Sequence, residues 1–356
     1  MSIKVGLVGL PNVGKSTLFN VLTNSSVSAE NYPFCTIDPN VGHVIVNDDR
    51  IDKLVEIDKP ANVVKSTIEL YDIAGLVKGA SSGEGLGNQF LANIREVDMM
   101  IHVIRCFEND KILHVDNRID PISDKQVIDV ELQLKDLETV DKKIEKTKVL
   151  MKKGSAVQPQ LALLERIKNH ISGGNDVRTM TFEEEQKSFV SEMQLLTSKP
   201  VVYVVNVNDS LKDKRLDDIK EYFNRNNDDF ILFPIKLASE LSSLTEEEKM
   251  DFNEEMNTIN NIIDDLMRII YRKLDITTFF TSGSDEVRAW TIKKDTNAKK
   301  AAGVIHSDFE KNFIKAEVCS FNNYCSNREV NTNKVRIEGK DYIVQDGDVI
   351  FFKVGV

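Results

Sequence analysis

The sequence predicts a mixed α/β protein with three parts: a mostly parallel sheet domain, a helical coiled-coil hairpin inserted into it, and a smaller β-rich domain at the C-terminal end. Short apolar runs alternate with helical stretches over the first hundred residues and again past residue 200, the rhythm of strands joined by crossover helices. Between about Val130 and Thr197 that rhythm gives way to long helical periodicity. From about Thr277 it becomes short alternating strands punctuated by turn residues. The boundaries expected from these changes are 1–129 with 199–276 for the sheet domain, 130–198 for the insertion and 277–356 for the last domain.

In chain order, Ile3 to Gly9 is an apolar run ending in glycine, which suits a buried strand feeding a tight loop. Ser16 to Thr23 then carries Leu18, Phe19 and Leu22 at helical spacing. Ile68–Tyr71, Met99–Arg105, Val201–Val205 and Phe230–Phe233 are the further strands expected of the sheet. In the insertion, Val130, Leu134, Leu137, Ile144 and Met151 follow a heptad seam whose two gaps hold Asp141 and Lys148. Lys153-Gly154-Ser155 breaks that helix, and Pro159 can open a second with the seam Leu161, Leu164, Lys168, Ile171. Gly173-Gly174 stops the second helix, and Thr181 with Glu184 fits a capping box for a third. This pattern predicts an antiparallel hairpin leaving the globular body. Thr245 to Lys273 reads as one amphipathic helix, followed by strands at Glu286–Ile292, Phe313–Val318, Tyr342–Val344 and Val349–Phe352.

A chain of 356 residues is too long for one ordinary core, and 41% hydrophobic with 29% charged residues is the composition of a folded protein. No apolar run approaches the roughly 18 residues that span a bilayer, so no membrane partner is expected. Met1 to Val5 shows no charged leader before an apolar stretch, and the expected location is cytoplasmic. Cys35, Cys106, Cys319 and Cys325 lack metal-ligand spacing, which predicts reduced thiols and no structural zinc. The net charge of −11 argues against broad nucleic-acid binding, and no sequence-specific DNA recognition is expected.

Gly9-Leu10-Pro11-Asn12-Val13-Gly14-Lys15-Ser16 satisfies G-x-x-x-x-G-K-S between a predicted strand and helix. Glycines let backbone N–H groups turn inward around phosphate oxygens, and the helix N-terminus adds positive potential. Asn12, Val13, Gly14, Lys15, Ser16 and Thr17 are thus the expected phosphate contacts. Lys15 is expected to reach the β- and γ-phosphates and Ser16 to take one Mg²⁺ position. Asp72-Ile73-Ala74-Gly75 follows a strand, where Asp72 would hold a Mg²⁺ water and the Gly75 N–H would sense the γ-phosphate. Thr36, ending Asn31-Tyr32-Pro33-Phe34-Cys35-Thr36 between the two motifs, is expected to close on Mg²⁺.

These strings resemble the Obg-like ATPase (YchF) family of P-loop proteins, as do Gly83 to Asn88, Ile101 to Phe107, Ala302 to His306 and Gly339 to Val349. The resemblance covers nearly the whole chain. It implies a GTPase-like (OBG-type) domain, a coiled-coil insertion and a C-terminal β-grasp-like TGS domain. It also implies ATP hydrolysis to ADP, ribosome association and a regulatory role in translation or stress. Guanine-specific relatives carry N-K-x-D after a strand. Here Asn206-Val207-Asn208-Asp209 replaces the lysine with Val207, as the family does, but ends in Asp209 where the family has glutamate. ATP is therefore the first expectation and GTP stays open, with Asn206, Val207 and Asp209 as the base contacts. Leu76 stands where many GTPases place a water-orienting glutamine. His114 matches the loop histidine proposed for that task in the family, with a solvent-facing histidine as the alternative. Asn12 matches P-loop asparagines that bind K⁺ in relatives. A third alternative is a nucleotide-dependent binding module without hydrolysis. In the last domain Lys293, Lys294, Lys299 and Lys300 cluster near Arg288 and Trp290, with His306, Lys311 and Lys315 following; the composition suits RNA or an ordinary solvated lysine face, and the resemblance implies the rRNA-facing reading.

Overall fold

The computed structural model describes residues 3–24, 40–73, 86–107, 120–153, 157–208, 215–326 and 335–355. Thr36, Gly75, Leu76, His114 and Asp209 lie outside the described residues. The chain divides into two compact units: Lys4–Gly42 with Glu69–Ile262, and Met1–Ile3 with His43–Ile68 and Ile263–Val356.

The first of these is built on strands β1 (Ile3–Val8), β2 (Val41–Ile45), β4 (Thr67–Asp72), β5 (Met99–Cys106), β6 (Val201–Val207) and β7 (Phe230–Phe233). They form a sheet in the order β2-β4-β1-β5-β6-β7, with β5 parallel to β1 and β6, and β6 parallel to β7. Both β5 and β6 are buried along almost their whole length, as apolar runs in a sheet covered on both faces must be. Helices α1 (Lys15–Asn24), α3 (Leu86–Glu96) and α7 (Arg215–Arg225) lie between these strands in the chain, and α8 (Ile235–Ser242) follows β7. The predicted single helix at Thr245–Lys273 is two, α9 (Glu246–Lys249) and α10 (Asn253–Lys273), separated by one 3₁₀ turn. Among the described residues no helix is long and apolar enough to cross a membrane.

The insertion is led by α4 (Pro121–Lys152), 32 residues long, started by the Asp120 side chain accepting from the Ser123 N–H and by proline in the first turn. It runs antiparallel to α5 (Gln158–Ser172), as the ion pairs Asp141–Lys168 (2.7 Å) and Lys148–Glu165 (3.9 Å) require. The two gap residues of the predicted seam thus carry cross-helix pairs. The seam itself is displaced. Val130 and Leu134 are about half exposed, at 51% and 46%, while Leu132, Asp136, Val140 and Ile144 are buried at i,i+4 spacing. Val140, Ile144, Leu161, Leu164, Ile167 and Ile171 form a core that Val177, Val190 and Leu195 complete. The third helix, α6 (Glu184–Glu192), is capped by a Glu183–Gln186 box rather than by Thr181.

The second unit holds α2 (Asp49–Asp58) and a sheet ordered β11-β10-β12-β8-β9-β3. Its strands are β3 (Asn62–Val64), β8 (Ile276–Ser282), β9 (Glu286–Lys293), β10 (Phe313–Ser320), β11 (Arg336–Glu338) and β12 (Asp348–Val354). A cluster including Phe279, Ile292, Ala302, Val318, Ile350 and Phe352 gathers α11 (Ala298–Ile305) against the sheet, with Phe309 of α12 (Ser307–Lys311) beside it. Ile51 and Leu54 of α2 join Phe280, Val287 and Val349 in a second cluster, which α13 (Phe321–Ser326) flanks. Arg50 binds both Asp48 and Asp346 at 2.7 Å, and Gly347, at φ +81°, leaves room for it. A Cβ on Gly347 would stand 2.9 Å from the Arg50 Nη1. Tyr342–Val344 is not a strand. Ile343 makes only an isolated bridge to Asn297, and the Tyr342 hydroxyl donates to Asp348 (2.8 Å).

Candidate functional site

Where β1 ends at Val8, the chain must turn sharply to start α1 at Lys15, and two glycines make that turn possible. Gly9 sits at φ +153°, and a Cβ there would meet the Val103 carbonyl oxygen of β5 at 2.4 Å. Gly14 has φ +101°, and its Cβ would meet the Asn206 Nδ2 at 2.6 Å. Between them Asn12 takes a left-handed φ of 62°, which asparagine tolerates better than most residues. The loop therefore lies directly on the neighbouring strands β5 and β6, at the carboxyl end of the sheet, where α/β folds bind ligands.

The Lys15 side chain is folded back into this loop. Only 8% exposed, its ammonium donates to the Gly9 carbonyl (3.1 Å) and the Leu10 carbonyl (2.8 Å). Burial holds its pKa below the ordinary lysine value, and the Asp72 charge opposes that shift only in part. Next in sequence, Ser16 Oγ donates to the Asp72 Oδ2 at 2.7 Å, joining the start of α1 to the end of β4. Asn206, buried at the end of β6, donates from Nδ2 to the Val13 carbonyl at 2.9 Å. Val207 is 2% exposed, so its side chain is spent on sheet packing. Thr17 is half-buried in the first turn of α1.

The structure thus brings together Asn12, Val13, Gly14, Lys15, Ser16, Asp72 and Asn206. What it adds to the sequence reading is the bond from Asn206 to the loop backbone, since the motif position suggested base contact alone. A hydroxyl and a carboxylate in contact are hard oxygen donors, the set that Mg²⁺ takes alongside phosphate oxygens and waters. An ammonium with only carbonyl partners has charge left for an anion. The residues fit both groups.

A family model described as "50S ribosome-binding GTPase" matches residues 4–151. A second, for the C-terminal region of YchF GTPases and described as "Protein of unknown function", matches 276–355. "Ribosome-binding ATPase YchF" of Bacillus subtilis is 45% identical, with 100% of both chains covered. The chain belongs to the YchF (Obg-like ATPase) family. "Obg-like ATPase 1" of Oryza sativa subsp. japonica is 42% identical over 99% of this chain and 92% of its own. The solved Schizosaccharomyces pombe YchF GTPase superposes with a TM-score of 0.87 at 35% identity, covering 99% of this chain and 98% of that one.

Elsewhere in this YchF-family chain, several of the residues expected to meet RNA are already engaged, Lys311 with Asp308 (3.7 Å) and Lys315 with Glu317 (3.4 Å) among them. Trp290 stacks on Phe279 (ring centroids 6.3 Å), donates from Nε1 to Thr281 Oγ1 (2.9 Å) and carries the Arg288 guanidinium at 4.0 Å. Lys293 donates to the Leu274 carbonyl at 3.1 Å. Among the described residues no cluster of three or more His, Cys, Asp or Glu could hold a metal, and Cys106, Cys319 and Cys325 are in no disulfide.

Proposed function

We propose that this chain is a Mg²⁺-dependent nucleoside triphosphatase that prefers ATP, turns over slowly, and presents its nucleotide state to the ribosome in the cytoplasm, regulating translation or stress responses. The observation that carries the chemistry is the Lys15 ammonium, buried with carbonyl partners only, beside the Ser16–Asp72 pair. In this reading Lys15 exchanges its two carbonyls for phosphate oxygens, and the backbone from Asn12 to Thr17 donates to the remaining ones. Ser16 and, through water, Asp72 would hold Mg²⁺, with Thr36 joining them. When bound, the ion neutralises charge on the β- and γ-phosphates. Gly75 reports the γ-phosphate, His114 orients the attacking water in the place Leu76 cannot serve, and Asn12 offers an oxygen to K⁺. Slow turnover follows from Leu76. The names of the relatives support a ribosomal partner, which the insertion or the C-terminal domain would meet.

The base is the open choice within this reading. Two relatives are named ATPases and the fission-yeast protein a GTPase. Val207 removes the lysine that packs on guanine, whereas Asp209 keeps a carboxylate that reads it. Calorimetric affinities for non-hydrolysable ATP and GTP analogues, with Mg²⁺ and K⁺ present, decide between them. We expect ATP to bind at least tenfold tighter, about 1.4 kcal/mol; equal or GTP-favoured binding would make the protein a GTPase with the same phosphate site.

A further inference from the structure

The second half of α4 changes character. The protein carries 57 acidic residues, yet from Lys146 to Leu164 the sequence has none, while Lys146, Lys148, Lys152 and Lys153 all fall in that stretch. Lys148 is occupied by Glu165 of α5. Lys142, Lys146, Lys152 and Lys153 are exposed and have no acidic partner among the described residues. Their arrangement is one-sided. Residues 142, 146, 149 and 153 recur at four-, three- and four-residue steps and so share one helix face, opposite Val140, Ile144 and Thr147, which are buried. Along the axis the lysines stand about 6 and about 10 Å apart. Val149, 52% exposed, lies in the row between Lys146 and Lys153, and Leu150 and Met151 are exposed beside it.

We infer that this lysine row, at the turn end of the α4–α5 hairpin, binds the phosphodiester backbone of RNA. A file of point charges with no acid from Lys146 to the turn of the hairpin complements a polyanion. Protein-recognition surfaces, in contrast, are enriched in arginine and aromatics and depleted in lysine. From Lys142 to Leu164 there is no arginine and no aromatic residue. Lysine contacts to phosphate position a rod on RNA without reading its sequence, which suits docking at one place fixed by shape. The inference rests on the ribosome-binding reading above, for which it names the contacting surface and the ligand chemistry.

The test compares the parent chain with a variant carrying K142Q, K146Q, K152Q and K153Q, titrated onto purified ribosomes and onto protein-free ribosomal RNA over a range of salt. We expect the variant to bind both at least about tenfold more weakly, with the salt slope reduced by about 0.9 for each lysine that met a phosphate. Its triphosphatase rate should be unchanged. A photo-crosslinker replacing Val149 in the otherwise native chain should label RNA, a readout independent of how the variant folds. Labelling of ribosomal protein alone would overturn the inference. So would a variant that binds ribosomes as tightly as its parent, though the ribosome reading would then stand. Stripe-dependent binding to free RNA without binding to ribosomes would uphold the inference and sink the ribosome reading. Binding to neither would remove both.

Discussion

Two buried lysines in the same compact unit behave in opposite ways. Lys15, 8% exposed, lies in the phosphate loop with two carbonyl oxygens as partners, and its pKa is depressed. Lys125, 7% exposed on α4, pairs with Asp129 (2.8 Å) and Asp228 (3.7 Å) and sits 4.7 Å from the centre of the Tyr203 ring. Burial works against its charge too, but Asp129 and its neighbours outweigh burial and raise the pKa. A buried cation matched by carboxylates is finished: it fastens α4 to the sheet. A buried cation hydrogen-bonded to carbonyl dipoles alone, its burial offset only in part by the Asp72 charge, keeps an unmet demand for negative charge. Equal burial therefore says nothing about role; the partners do.

The contrast predicts that the two lysines fail differently when removed. Lys125→Met should be the larger effect, costing about 3–5 kcal/mol of stability because it strands the Asp129 charge in a buried site. Denaturant unfolding would show this, while nucleotide affinity stays near that of the parent. Adding Asp129→Leu should recover much of the loss, since apolar replacement of both partners is often neutral. Lys15→Ala should do the reverse. Triphosphatase turnover should fall by about 10²–10³-fold, the usual cost of removing a charge-stabilising donor. Stability should hold or rise, because a poorly compensated buried charge is gone. A Lys15→Ala protein as unstable as Lys125→Met would break the comparison and make the loop lysine structural.

The phosphate loop was legible in the sequence because its chemistry is local: the glycines, the lysine and the serine lie within eight consecutive residues. Asp72 was legible by motif, and its contact with Ser16 joins residues 56 apart. Strand positions in the parallel sheet were legible because burial on both faces leaves continuous apolar runs. The α4 seam was misread for a physical reason. The buried stripe includes Asp136, which accepts from the Leu196 and Thr197 N–H groups and the Thr197 hydroxyl, and Gln133, which donates to Asp176. Polar residues satisfied by distant partners do not register in an apolar count, so the pattern settled on Val130 and Leu134 instead. Tyr342–Val344 failed similarly: alternation predicted a strand, but Tyr342 is spent on Asp348 and Val344 donates to Thr296. Nor could three residues at Asn62–Val64 announce their pairing with Glu286–Arg288, more than two hundred positions away.

His102 joins the two lysines and gives the smallest of these effects. It lies in the middle of β5, 3% exposed, with its ring 5.5 Å from that of Tyr203. Burial pushes its pKa down to about 3, and the charges of Lys125, Arg178 and Lys15 push the same way. The native protein therefore keeps this imidazole neutral, whereas the unfolded chain protonates it near the ordinary value of 6.5. Below that pH the unfolded state binds one more proton, so stability falls as pH drops from 6.5 toward 3 and is unaffected by this group above 6.5. The slope contributed is at most about 1.4 kcal/mol per pH unit. In His102→Gln, urea unfolding measured at intervals between pH 7 and pH 4.5 should lose that component, leaving only the carboxylates to titrate. Combining the substitution with Lys125→Met tests the cause. If the fixed charge of Lys125 helps to exclude the proton, Lys125→Met should raise the histidine's folded-state pKa: the histidine-dependent loss still begins near 6.5, where the unfolded chain titrates, but it ends at a higher pH and is smaller in total. A histidine-dependent loss of unchanged size would assign the depression to burial and the remaining charges and leave the two lysines without this common neighbour.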